Sequence, residues 1–173
     1  NKVYSKNVVN EEDIKIFYEK NKDFFKEKYK KLRYVELTPE ILTGKSNFDE
    51  EYFKKIDLIE NRILDGEKFE NILPELKGKF KNIGFANNNK ILENGEVIKG
   101  LDDNLFEKIF SIKNNNTPEF LDFNNKYYMA ELLDQKEITT PLSNQNLNKT
   151  IKSQLKITNT IEENNNILKK IKA

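Results

Sequence analysis

A chain of 173 residues, 36% hydrophobic and 34% charged, has the length of one domain with helical attachments and can bury only a modest core. Its 30 Lys and Arg against 29 Asp and Glu leave a formal charge of +1, which argues against a nucleic-acid partner. With no His and no Cys it can carry no imidazole base, thiol nucleophile, disulfide or zinc knuckle, and neither a cofactor nor a metal is expected. No apolar run approaches the ~18 residues of a membrane span. The chain opens at Asn1 without Met or a signal-like segment, so it reads as a soluble piece of something longer. Asn, Lys and Ile together make up 71 residues, and the Asn runs at 87–89, 114–116 and 164–166 are expected in solvated loops or helix faces.

The first helix is announced by Asn10-Glu11-Glu12-Asp13, a near variant of the capping box, with Val9 and Ile14 placed to form a hydrophobic staple. Ile14, Phe17 and Tyr18 supply its apolar stripe, and Phe24, Phe25 and Tyr29 continue the aromatic content. Lys26 to Lys31 is a mostly basic run, read as a solvated face. Leu32 to Leu37 has strand character and is stopped by Thr38-Pro39. After a polar connection through Gly44, Asn47-Phe48-Asp49-Glu50 starts a second helix, with Tyr52, Phe53, Ile56, Ile59, Ile63 and Leu64 on one side. Asp65-Gly66 ends it, since glycine accepts the left-handed conformation of a C-terminal cap.

Phe69, Ile72, Leu73 and Leu76 predict a short third helix, weakened by Pro74 and closed near Gly78, and Ile83-Gly84-Phe85 predicts a short strand. Asp102 or Asp103 caps a further helix carrying Leu105, Phe106, Ile109 and Phe110. Two strands, Phe120 to Phe123 and Lys126 to Leu133, meet across Asn124-Asn125, a pair that tolerates the positive φ of a tight hairpin. Pro141-Leu142-Ser143 then stops the sheet. Ser143 is placed to cap a final helix with the stripe Leu147, Ile151, Leu155, Thr158, Ile161, Leu168 and Ile171, which must dock on something to be stable. The order predicts an α+β protein with a small antiparallel sheet.

The middle of this map resembles the parvulin family of peptidyl-prolyl isomerases. Arg33-Tyr34-Val35-Glu36-Leu37 resembles the opening strand, which in active members reads Arg-His-Ile-Leu-Val. Ile59 to Phe69 resembles the first helix with its Gly-x-x-Phe exit, and Gly84-Phe85 the end of a Gly-Gly-Asp-Leu-Gly-Trp segment. Leu101 to Ile112 resembles the substrate wall Met-Val-Pro-x-Phe-x-x-Ala-x-Phe-x-Leu, and Tyr127 to Leu132 the final strand Gly-Tyr-His-Ile-Ile-Lys-Val. The likeness covers Leu32 to Glu137, in the family's order. It implies a parvulin-like (FKBP-like) domain at 32–138, an N-terminal helical arm at 1–31 and a C-terminal helix at 139–173. Those flanks resemble the family's periplasmic folding factors.

The resemblance also implies a site. Active parvulins hold two His on the floor of the site, and the matching positions are Tyr34 and Tyr128. The wall positions are Leu101, Leu105 and Phe110, and Lys81-Asn82-Ile83 stands in place of Gly-Gly-Asp. Weak or absent isomerase activity is therefore expected, since a phenol with a pKa near 10 cannot copy the titration of imidazole. The implied role is to bind unfolded or nascent envelope proteins and proline-containing peptides. An active isomerase is one alternative. Another is a structural spacer, or a docking module for the secretion machinery. The implied location is the periplasm, tethered to the inner membrane through another part of the parent chain.

Overall fold

The computed structural model describes residues 8–77 and 79–171, so the expected closure of the third helix at Gly78 lies outside the described residues. The elements are α1 (Glu11–Lys20), β1 (Lys26–Glu36), α2 (Pro39–Leu42), α3 (Glu50–Leu64), α4 (Phe69–Ile72), β2 (Lys81–Ala86), α5 (Asp103–Phe110), β3 (Pro118–Phe123), β4 (Lys126–Thr139) and α6 (Gln145–Ile171). The four strands form one antiparallel sheet in the order β2-β1-β4-β3, and helices surround it, which makes the protein α+β. The residues fall into two compact units. One is 28–137; the other comprises the described residues before 28 and after 137.

Within 28–137 the period-2 alternation of β1 and β4 builds a core on each sheet face. Leu32, Tyr34, Tyr128, Ala130 and Leu132 share one face with Ile83, Leu101 and the Leu105, Phe106 and Ile109 of α5. Val35, Leu37 and Met129 take the other, against Ile41 of α2, the stripe of α3 and Phe69 and Ile72 of α4. The buried stripe of α3 is Tyr52, Ile56, Ile59 and Ile63. It is narrower than the sequence pattern, because Phe53 and Leu64 lie 43% and 76% exposed at its margins. Asp49 caps this helix by accepting from the Tyr52 amide at 3.0 Å, so the start is two residues later than an Asn47 cap would give. Gly66 closes it at φ +82°.

The connection after β1 is not purely irregular: Thr38 caps the single turn of α2, with Pro39 at its first position, where a missing N–H costs nothing. After α4 the chain tightens into a 3₁₀ turn over Leu73–Leu76, which accommodates Pro74. On the α3–α4 face sits a buried cation. Arg33 donates from Nε to Glu131 at 2.6 Å and from Nη2 to Glu70 at 2.5 Å, with its guanidinium 4.1 Å from the Phe69 ring centre.

The strand β1 begins at Lys26, so the basic run is strand rather than a uniformly solvated face. Its Lys30 shares parity with Leu32 and Tyr34 and is buried. There its ammonium donates to the carbonyls of Phe110 and Ile112, each at 2.6 Å. The end of α5 leaves carbonyls without intrahelical donors and carries partial negative charge, and that is what makes a buried lysine tolerable here. Burial still pushes the Lys30 pKa down. Asn87 is likewise buried: its side chain accepts from the Asn89 and Ile91 amides and so shapes the turn.

In the second unit the capping box of α1 is present, with the Asp13 amide donating to Asn10 at 2.8 Å and the Asn10 amide to Asp13 at 3.1 Å. Val9 and Ile14 are buried together with Tyr18 and with Ile151 of α6, so the two terminal helices pack on each other. The helix ends at Lys20, ahead of Phe24 and Phe25, which lie in a 3₁₀ turn over Lys22–Phe25, while Tyr29 belongs to β1. Phe25 stacks on Tyr18 at 5.5 Å, and Phe24 is 85% exposed. The cap of α6 is Asn144, not Ser143: the Asn146 and Leu147 amides both donate to its side chain at 3.0 Å. Only the first half of the α6 stripe is covered. Ile161, Leu168 and Ile171 are more than half exposed. No helix among the described residues is long and apolar enough to cross a membrane.

Candidate functional site

A cleft of about 510 Å³ opens where the β1 and β4 tyrosines meet the approach to α5. Tyr34, Tyr128, Leu101 and Leu105 all line it, together with Ile41, Phe80, Glu36, Lys79, Lys81, Asp102 and Lys126. Four of the five residues that the sequence resemblance implies are thus brought together. Phe110 is not: it sits in the last turn of α5, with its ring 5.6 Å from Phe106 and the Lys30 ammonium 5.0 Å above it.

Each wall has a local cause. Gly100, at φ +73°, turns the chain into Leu101. Asp102 then caps α5 by accepting from the Asn104 and Leu105 amides at 2.9 and 3.1 Å, which fixes Leu105 toward the cleft. Lys90 secures the same corner, donating to the Leu101 carbonyl and, at 2.7 Å, to Asp103. On the floor, Lys81 is the direct partner of Tyr34 across the β1–β2 ladder, and its ammonium lies 5.9 Å from the Tyr34 ring centre.

The polar groups at the floor form a chain. Lys126 pairs with Glu36 at 2.9 Å, and the Glu36 carboxylate is near enough to the Tyr128 phenol to influence its ionisation. Burial, then the Glu36 charge, push the Tyr128 pKa up, with Lys126 opposing. The phenol therefore stays neutral at physiological pH, able to donate a hydrogen bond but not to exchange a proton there. Glu36 and Lys126 were legible from the sequence by parity, since each lies two residues from a floor tyrosine and so on its face. Lys79, Phe80 and Ile41 carried no such signal, because the irregular segment ahead of β2 brings in the first two and the short helix α2 the third. Among the described residues no group of three or more carboxylates is placed to hold a metal ion.

A second, smaller hollow of about 200 Å³ lies beside the cleft, bounded by Leu37, Pro39, Phe48, Tyr52 and Tyr127 and sharing Glu36, Thr38 and Lys126 with it. The Tyr52 hydroxyl donates to the Leu37 carbonyl at 2.9 Å, and burial pushes its pKa up to about 12. No protein-family model matches the chain, and no curated protein matches it.

Proposed function

We propose that this chain is a degenerate parvulin-type domain with helical flanks, belonging to a periplasmic folding factor of the peptidyl-prolyl isomerase D or survival protein A kind. Its cleft holds proline-containing and other extended segments of unfolded envelope proteins. The observation that carries this reading is the convergence of Tyr34, Tyr128, Leu101 and Leu105, residues spread over about a hundred positions, on one cleft. Apolar walls can cover a pyrrolidine ring, while the Tyr128 phenol offers a donor to a peptide carbonyl. The near-zero net charge suits a binder of varied clients. Tethering to the inner membrane would come from another part of the parent chain.

Rotation about an X-Pro bond crosses a barrier of ~18–20 kcal/mol, and lowering it requires groups that favour the twisted amide over the planar one. A neutral phenol in place of imidazole leaves little beyond apolar confinement for that task. The expected result is suppressed aggregation of a chemically unfolded client protein at stoichiometric amounts, with no acceleration of cis-to-trans conversion in a proline tetrapeptide. Leu101→Asp should weaken the suppression severalfold, provided that its thermal midpoint confirms a folded protein. Acceleration that Tyr128→Phe abolishes would establish an active isomerase instead. Absence of both activities would leave a spacer or docking module.

A further inference from the structure

The hollow beside the cleft has a composition of its own. Leu37, Pro39, Phe48, Tyr52 and Tyr127 give it an apolar and aromatic side, with a polar rim that includes Ser46 and Glu40, and two of its polar groups are already paired: the Leu37 amide donates to the Tyr127 carbonyl at 2.8 Å and the Tyr52 hydroxyl to the Leu37 carbonyl. An occupant can therefore meet the apolar and aromatic side by contact and shape without breaking either of these hydrogen bonds. Phe48 stands at this wall 63% exposed, with its ring edge-on to Tyr52 at 5.2 Å, so the hollow presents an aromatic surface to solvent. The boundary with the cleft is one layer of side chains thick, because Glu36, Thr38 and Lys126 face both.

We infer that the hollow is a second subsite of the same binding surface, taking an aromatic or large aliphatic side chain of the polypeptide whose proline occupies the cleft. This rests on the reading of the cleft given above. Cavities that share wall residues are immediate neighbours, so an extended chain advancing about 3.3 Å per residue bridges them within a few residues. Charge sets a direction along that path. Apart from the shared pair, the cleft contributes Lys79, Lys81 and Asp102 and the hollow contributes Glu40. A segment with an acidic residue near its proline and a basic residue near its aromatic one complements both ends.

The test uses fluorescein-labelled alanine-based octapeptides with one proline, and a matched set in which a single Phe is moved from one to five residues away on either side. Fluorescence polarisation with the full chain should show about tenfold tighter binding for a narrow window of spacings of a few residues, on one side of the proline only. Phe48→Ala should remove that gain and leave the proline-only peptide unchanged. In the wild-type protein, amide resonances of Phe48 and Tyr127 should shift with the Phe peptide and not with the proline-only one. Equal affinity at all spacings, or equal weakening of both peptides by Phe48→Ala, would overturn the subsite and leave the cleft reading standing. Failure of every peptide to bind would overturn both.

Discussion

Glu131 is the residue whose environment is least expected from its chemistry. It lies in the middle of β4, 1% exposed, and one of its carboxylate oxygens has no partner among the described residues. Burial raises its pKa, and the Arg33 guanidinium only partly offsets this. Glu70, at the outer end of the same guanidinium, is instead held below its ordinary 4.5, chiefly by its hydrogen bond to Arg33. The two carboxylates therefore act in opposite directions. A carboxyl whose folded pKa is raised contributes stability that is present below its unfolded value and lost as pH rises through its folded one. A lowered pKa contributes above the unfolded value and loses that contribution on acidification. Glu131→Ala should destabilise by about 3 kcal/mol, because it strands a buried guanidinium with one exposed partner. Glu131→Gln keeps an acceptor for Arg33 and should cost less, while removing the loss of stability that Glu131 contributes as pH rises above the ordinary carboxylate range. Denaturant titrations from below that range to above it separate the two outcomes.

Among the elements, the β3–β4 hairpin has the most direct hold on the site. Asn124 and Asn125 adopt φ of 51° and 57°, the left-handed pair that matches strand twist in a two-residue turn. The turn sets the pairing of Leu121 with Tyr128, and a slip of one residue would send Tyr128 to the opposite sheet face. Asn125→Gly should leave the fold intact and raise the thermal midpoint slightly. Asn125→Val should cost about 1–2 kcal/mol from the left-handed Cβ clash, measurable by thermal unfolding. This turn was readable in the sequence because its signal is local, as were the Asn10 box and, to within one residue, the Asp102 cap. Asn144 in place of Ser143 was not readable, since both are good caps and backbone angles alone decide between them. The burial of Lys30 lay further out of reach. It depends on carbonyls 80 and 82 positions away, which no local pattern reveals.

At the scale of the molecule, both large cores, the cleft and its neighbouring hollow belong to residues 28–137. That segment alone should unfold cooperatively on heating and, on the function proposed above, bind proline peptides with the affinity of the full chain. A non-cooperative melt would show that the unit needs its flanks. The four-stranded sheet and the order of its elements followed from sequence periodicity, and the floor tyrosines shared a face because both strands alternate. Part of the charged rim followed by the same parity, through Glu36 of β1 and Lys126 of β4, whereas Lys79 did not, because it sits in the irregular segment ahead of β2. Stability should be equally uneven across the chain. The covered half of α6 is anchored through Ile151, whereas Ile161, Leu168 and Ile171 in its far turns are more than half exposed, and a helix that buries little of its apolar stripe is marginal in water. In deuterated solvent, amides near Ile151 would exchange only through opening of the whole terminal unit. Those past Ile161 would exchange by fraying from the end, so one continuous helix would run on two clocks.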